Sequence, residues 1–193
     1  MPPKQKFTKE EIIGAALDLV RRDGMAAVTA RALGEALGSS SRPIFTTFVN
    51  MEDVQREIMN EARKIYNGYV REGLTEEHPF QGVGKAYIRF AAQEPMLFHM
   101  LFMTANPAEP DLQNVLDCID ENSTRILEAI RQEYELTEEK ALRLYQELWI
   151  FTHGIAALIA TGVCRFSTEE IMGMMRDVLI SVLQRIKEED TLS

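Results

Sequence analysis

The sequence is poor in cysteine, histidine and tryptophan, and this scarcity excludes several classes of site. Its 193 residues include two cysteines, three histidines and one tryptophan. Cys118 and Cys164 are far apart and form no CxxC pair, so they give no metal-ligand spacing and predict no bound metal or cofactor. Two isolated cysteines are also typical of a protein that works in a reducing cytoplasm.

Long apolar runs and catalytic motifs are lacking as well. The longest uncharged apolar stretch, about residues 148–164, is shorter than the roughly 20 residues of a membrane span. Residues 1–11 are polar and basic, without the apolar core of a signal peptide. No GxSxG, P-loop, HExxH or dinucleotide fingerprint occurs. We therefore expect a cytoplasmic protein that makes no membrane contact and is not an enzyme.

Strand-like alternation is absent from the chain. Apolar residues instead recur at spacings of three and four almost throughout, which predicts an all-α protein of about nine helices. The first helix is expected to start at a capping box formed by Thr8 and Glu11 and to end at Gly24. The predicted helices cover residues 8–22, 29–38, 40–47, 52–72, 80–93, 96–103, 111–134, 137–163 and 167–187.

The negative charge is distributed unevenly along the chain. A formal net charge of −9 argues against a protein that coats nucleic acid indiscriminately. Residues 1–50 nevertheless carry seven lysines and arginines against five acidic residues, whereas residues 51–193 carry fourteen against twenty-five. A mildly basic head on an acidic body fits a protein whose head alone contacts DNA.

Residues 28–48, VTARALGEALGSSSRPIFTTF, have the spacing of a helix-turn-helix. This motif requires a small residue where its two helices touch, a turn residue about four positions later, and a branched apolar residue about six after that. Gly34, Gly38 and Ile44 hold these positions. Residues 39–41 then begin the second helix, whose side chains reach base edges in the major groove.

The same stretch resembles the TetR family of bacterial repressors. That family has an amphipathic helix followed by Val-Thr-x-Arg, Leu-Gly, a short recognition helix, an aromatic residue and a Phe. The resemblance implies a dimeric repressor with a helix-turn-helix domain over residues 1–51 and a ligand-binding and dimerisation domain over residues 52–193. The matching residues are Ala15, Ala16, Gly24, Val28, Thr29, Arg31, Leu33, Leu37, Gly38, Ser40, Phe45 and Phe48.

The resemblance also implies which residues contact a double-stranded DNA operator. Phe45 replaces the usual Tyr, Thr47 replaces a common His and Met51 replaces the usual Lys, which together predict weaker phosphate binding. Pro43 lacks an N–H and disfavours helical geometry at the preceding residue, so the recognition helix is expected to start late. The expected DNA-binding residues are Thr29, Arg31, Ser39, Ser40, Ser41, Arg42, Phe45, Thr46, Thr47, Lys4 and Lys6.

Two stretches of the C-terminal domain carry a weaker resemblance. Residues 87–102 look like the Y-x-x-F-A-x-x-x-P-x-L-F-x-L-M-F run of such regulators, and residues 148–158 resemble the Trp-His-Gly helix of the WHG subclass. A small apolar ligand is the implied effector, although aromatic residues at helical spacing also suit an ordinary core. The candidate ligand-binding residues are Tyr66, Phe90, Phe98, His99, Phe102, Met103, Trp149 and His153.

The last two predicted helices, residues 137–163 and 167–187, have broad apolar faces. Pairing with their symmetry mates would make a four-helix homodimer interface, and the alternative is that they cover only the core of their own chain. Two alternatives to a ligand-responsive repressor also stay open: a DNA-binding factor without a small-molecule effector, and an all-α adaptor for protein partners.

Overall fold

The computed structural model describes residues 6–105, 111, 112, 116 and 121–189. These residues are helical and contain no strand, so the predicted all-α class is confirmed. Of the predicted helix 111–134, residues 113–115 and 117–120 lie outside the description. The eight described α-helices are α1 (Lys9–Asp23), α2 (Ala30–Ala36), α3 (Met51–Gly73), α4 (Pro79–Gln93), α5 (Pro95–Phe102), α6 (Ser123–Tyr134), α7 (Glu138–Ala160) and α8 (Thr168–Glu188).

Reciprocal caps fix the starts of the first and last helices. The backbone N–H of Thr8 donates to Glu11 Oε2 at 2.7 Å, and the N–H of Glu11 donates to Thr8 Oγ1 at 3.1 Å. Ser167 and Glu170 repeat this capping box at the start of α8. Because each box satisfies two N–H groups that the first turn leaves unpaired, the helices begin where the sequence predicts.

The chain divides into two compact units. The first contains residues 1–65 and 94–104, and the second contains residues 66–93 and 105–193. Helix α3 contributes to both, with residues 51–65 in the first unit and residues 66–73 in the second. The division into a DNA-binding domain over residues 1–51 and a ligand-binding and dimerisation domain over residues 52–193 stays a prediction.

The first unit is built around α1, which packs against α2 and α5. Ile12, Ala16 and Val20 are fully buried on one face of α1, as their helical spacing requires. Arg21, on the same helix, donates two hydrogen bonds of 2.9 Å to the carboxylate of Glu94, which lies just before α5. This bidentate pair fixes α5 against α1.

The second unit is a bundle in which α4 and α6 pack against α7, and α7 packs against α8. The approach of residues 66–73 of α3 to α4 depends on two glycines. A Cβ atom on Gly73 would lie 2.6 Å from the carbonyl oxygen of Gly82, so a side chain there would force the backbones apart.

Two kinds of feature are missing from the described part of the chain. None of its helices combines the length and the apolar character needed to cross a bilayer. None of its groups of His, Cys, Asp and Glu side chains is arranged to hold a metal ion.

Candidate DNA-reading surface and ligand cavity

The turn after α2 has the close backbone approach that the sequence predicts at Gly34. The backbone N–H of Ser39 donates to the carbonyl oxygen of Gly34 at 2.9 Å. A Cβ atom on Gly34 would lie 3.0 Å from backbone atoms of Ser40 and Ser41. Gly38 has a φ of +62°, which suits the turn residue of the motif because glycine adopts the left-handed region without steric cost.

The recognition segment is shorter and more tightly wound than predicted. Within the predicted helix 40–47, only Ile44–Thr46 is helical, and it is a 3-10 helix rather than an α-helix. We call these three residues the recognition turn. Pro43 explains the late start, since it offers no N–H and directly precedes the helix with a φ of −60°. The N–H of Ile44 donates to the carbonyl of Ser41 at 3.1 Å, which is the i→i+3 pattern of a 3-10 turn.

Four side chains on or beside this turn are exposed. Arg42 makes no hydrogen bond or ion pair with any described residue, so its guanidinium is available to a ligand. Phe45 is 46% exposed and Val49 is 87% exposed. Thr46 is also exposed, and its hydroxyl donates to the carbonyl of Pro43 at 2.6 Å. Val49 is not among the predicted DNA contacts. Its position three residues after the recognition turn makes it a further candidate.

Four other predicted DNA contacts also belong to the first unit. Lys6 Nζ donates to Ser39 Oγ at 2.9 Å, which ties the N-terminal segment to the start of the recognition segment. Thr29 caps α2 by accepting from the N–H of Ala32 at 3.1 Å. Arg31 is exposed and pairs with Glu35 at 2.9 Å.

The last four predicted contacts differ in accessibility, and one of them lies outside the description. Ser40 is exposed and Ser41 is half-buried. The Thr47 hydroxyl oxygen is buried and has no hydrogen-bond partner among the described residues, so contact with a phosphate would need a side-chain rotation. Lys4 lies outside the described residues.

A cavity of about 420 Å³ lies within the second unit, between α4, α7 and α8. One face of α7 lines the cavity through Tyr145, Leu148, Trp149 and Thr152. These residues are spaced i, i+3, i+4 and i+7, which is the spacing of one helix face.

Five of the cavity-lining side chains are aromatic. Tyr66 from α3, Phe80 and Tyr87 from α4, and Tyr145 and Trp149 from α7 all line the cavity. The Tyr66 and Tyr87 rings meet edge to face with centroids 6.0 Å apart, and Phe80 meets Tyr145 in the same way at 6.0 Å. This geometry is the favourable one for aromatic pairs and holds the walls in a defined shape.

Helix α8 supplies the opposite wall of the cavity, with Met172, Gly173, Met175 and Leu179. A Cβ atom on Gly173 would meet no atom within 4 Å, so the missing side chain leaves open space on this wall.

Four of the eight predicted ligand-binding residues belong to the second unit. Tyr66 and Trp149 line the cavity. Phe90 is fully buried and packs on Tyr66, with ring centroids 5.4 Å apart. His153 packs against Trp149 at 5.3 Å, and its Nδ1 lies 2.9 Å from the hydroxyl oxygen of Tyr87. Burial lowers the pKa of His153, because removal from water disfavours the imidazolium form.

The other four predicted ligand-binding residues belong to the first unit and are not among the residues that line the cavity. Phe98 is fully buried and contacts Phe102, with ring centroids 5.4 Å apart. His99 and Met103 are exposed. Ligand binding by these four residues stays a prediction.

Several cavity residues were absent from the sequence-based set. Phe80 and Tyr87 share one face of α4, and their i, i+7 spacing is a signal that could have found them. Thr152 is the one hydroxyl among the mostly apolar residues 148–160 of α7, and a hydroxyl in such a run is also informative. Met172 and Met175 carry no comparable signal.

Comparison with known protein families identifies the family to which the chain belongs. A family model described as the tetracyclin repressor-like C-terminal domain matches residues 80–183. The chain belongs to the TetR family of regulators. Among curated proteins, none matches the chain.

Membership of the TetR family gives the chain its general role. The family is regulatory rather than enzymatic, and membership implies DNA binding and dimerisation. Every cavity residue except Tyr66 lies inside the matched span. The head precedes that span, so its individual DNA contacts rest on the sequence motif and on the geometry above. Membership of the Trp-His-Gly subclass stays a prediction.

Proposed function

We propose that this TetR family regulator is a homodimeric repressor that a small, mostly apolar ligand releases from a palindromic operator. The observation that carries the proposal is the cavity of about 420 Å³ in the C-terminal domain. Its volume falls within the roughly 300–1,000 Å³ of small-molecule sites, and such sites are typically apolar with a few polar groups.

The exposed side chains of the recognition turn support operator reading. Arg42 is a cation without a protein partner among the described residues, which suits it to a guanine edge or a phosphate. Phe45 and Val49 are apolar and exposed, and apolar side chains in the major groove recognise the methyl group of thymine.

The face of α7 opposite the cavity supports homodimerisation. Ile150, Gly154 and Leu158 follow one another at intervals of four and are exposed, with Ile150 at 51% and Leu158 at 38%. Ile180 on α8 is 47% exposed. A second chain that covers these apolar residues would explain why residues 148–160 of α7 are apolar nearly all round.

Helix α3 supports coupling between ligand and operator. It supplies residues 51–65 to the first unit, and it supplies Tyr66 to the cavity wall in the second. A ligand that contacts Tyr66 therefore touches a helix shared with the head. Its effect on DNA binding equals its difference in affinity for the two conformations of the regulator.

Selection of bound duplexes from a random-sequence library tests the proposal. The full-length protein should enrich a near-palindrome whose half-sites lie one or more helical turns apart. Its affinity for that duplex should fall steeply with salt, because phosphate contacts release counterions. Failure to enrich any sequence at low salt would overturn the DNA-binding proposal, and enrichment of a single unpaired half-site would overturn the dimer.

A further inference from the structure

The Thr152 hydroxyl lies on the cavity wall and has no hydrogen-bond partner among the described residues. The residue as a whole is 5% exposed. Two other threonines in the chain, Thr104 and Thr161, donate to the carbonyl oxygen four residues earlier at 2.9 Å and 2.7 Å. Thr152 therefore has an unused capacity to form a hydrogen bond with a polar group of a molecule in the cavity.

Charged side chains occupy only accessible positions of the cavity lining. Lys85 pairs with Glu76 outside the lining at 2.7 Å, and its side chain is 38% exposed. Arg176 is 71% exposed and lies 3.6 Å from Asp177, and Glu169 is exposed. A charged ligand that moved past these three charged side chains into the cavity would lose its hydration without gaining a buried counter-ion.

The shape of the walls favours a ring-shaped occupant. Aromatic rings from three helices line the cavity, and edge-to-face or offset contacts between rings add to the free energy of apolar burial. Gly173 adds no side chain to the part of the lining that α8 supplies, which leaves room for a planar molecule.

From these observations we infer that the cavity binds an uncharged ring compound with one hydroxyl or carbonyl group, which forms a hydrogen bond with the Thr152 hydroxyl. The inference rests on the proposed function, because it assigns a chemical class to the effector of the same cavity. It also makes Thr152 a residue that distinguishes polar from purely hydrocarbon ligands, beside Trp149, whose buried Nε1 has no hydrogen-bond partner among the described residues.

Four probes with one ring skeleton test this inference by equilibrium dialysis at about pH 7. They are naphthalene, 2-naphthol, 2-naphthoate and 2-(aminomethyl)naphthalene, which are hydrocarbon, neutral hydroxyl, anion and cation at that pH. We expect 2-naphthol to bind most tightly and both charged probes to bind at least about tenfold more weakly, because burial of an unpaired charge is costly.

The Thr152→Val variant removes the hydroxyl and keeps the shape of the side chain. It should weaken 2-naphthol binding by about twofold to tenfold, the range expected for one hydrogen bond, and leave naphthalene binding unchanged. Thr152→Ser keeps the hydroxyl and should retain the preference for 2-naphthol. Thr161→Val is the matched control, because the Thr161 hydroxyl already bonds to the Ala157 carbonyl and is exposed.

The Gly173→Leu variant fills the cavity and should abolish binding of all four probes. Gly14→Leu is its control, since Gly14 is also a helical glycine with open space around the Cβ position but lies on α1. Circular dichroism on both variants establishes that the fold is retained.

Three outcomes would overturn the inference. They are tighter binding of a charged probe, an equal loss of naphthalene and 2-naphthol affinity in Thr152→Val, and no binding of any probe to the wild type. Operator selection is independent of the probes, so failure of this inference is distinguishable from failure of the DNA-binding proposal.

Discussion

Gly34 is the single residue on which the geometry of the helix-turn-helix depends most. Its missing side chain allows the backbone of Ser40 and Ser41 to come within 3.0 Å of the Cβ position. Backbone atoms cannot move aside as a flexible side chain can, so even a methyl group there must displace the turn. Gly14 is a helical glycine in the same unit with nothing within 4 Å of its Cβ position.

We therefore predict opposite effects of the same substitution at these two glycines. Gly34→Ala should lower the free energy of unfolding by about 1–3 kcal/mol through overpacking. Gly14→Ala should raise it by about 0.5–1 kcal/mol, because alanine is the better helix former. Chemical denaturation followed by circular dichroism measures both changes. Equal stability of the two variants would contradict the close approach at Gly34.

His153 gives the second unit a dependence of stability on pH. Burial lowers its folded-state pKa below the ordinary value of 6.5, so below about pH 6.5 the unfolded chain binds a proton more readily than the folded chain. The stability is fully present above that pH and falls as the pH decreases towards the folded-state pKa.

The predicted result is that the wild type loses more stability between about pH 7.5 and pH 5.5 than His153→Gln does. Denaturation curves at both values measure the difference. His99→Gln, which changes an exposed histidine in the other unit, controls for the loss of a histidine in general. If the pH dependence of His153→Gln matches that of the wild type, the side chain is not held in a desolvated position.

The recognition turn is the element in which sequence and structure differ most. The motif spacing predicts a helix over residues 40–47, and a three-residue 3-10 helix is found. Helices with caps at their starts, such as α1 and α8, could be predicted closely because a cap is a local property of a few residues. The recognition turn instead depends on Pro43 and on the close approach of the Ser40 and Ser41 backbone to Gly34. That approach is a packing contact, which a local sequence pattern does not specify.

Arg42 precedes this element and is its best candidate for reading sequence. We expect Arg42→Ala to weaken binding to the selected operator by about 1–3 kcal/mol and to relax preference at one position of each half-site. Arg22→Ala is a control, since Arg22 lies in the last turn of α1 and pairs with Asp23. An equal loss on operator and random duplex would show that Arg42 contacts only phosphate.

At the scale of the whole molecule, α7 has two apolar faces with different roles. The face with Trp149 and Thr152 lines the cavity, and the face with Ile150 and Leu158 is exposed. The sequence predicts that more than one layer must cover this helix. It could not predict the cavity, because the lining comes from α3, α4, α7 and α8, and an empty space has no pattern of its own along the chain.

The dimer prediction follows from the exposed face of α7. Leu158→Glu should convert the protein to folded monomers in sedimentation experiments and weaken operator binding on the order of 100-fold, since two linked half-site contacts reinforce each other. Leu112→Glu is the matched control, because Leu112 is 54% exposed and lies on neither α7 nor α8. A wild-type protein that sediments as a folded monomer at micromolar concentration would remove the dimer from the account.

The central claim is that occupation of the cavity and binding of the operator oppose each other. The most direct test measures the affinity for the selected operator with and without saturating 2-naphthol, and the affinity for 2-naphthol with and without saturating operator. Thermodynamic linkage requires both affinities to fall by the same factor, which we expect to lie between about 5-fold and 150-fold in the wild type and to vanish in Gly173→Leu. Wild-type protein that binds 2-naphthol in the cavity and keeps its full operator affinity would contradict the claim.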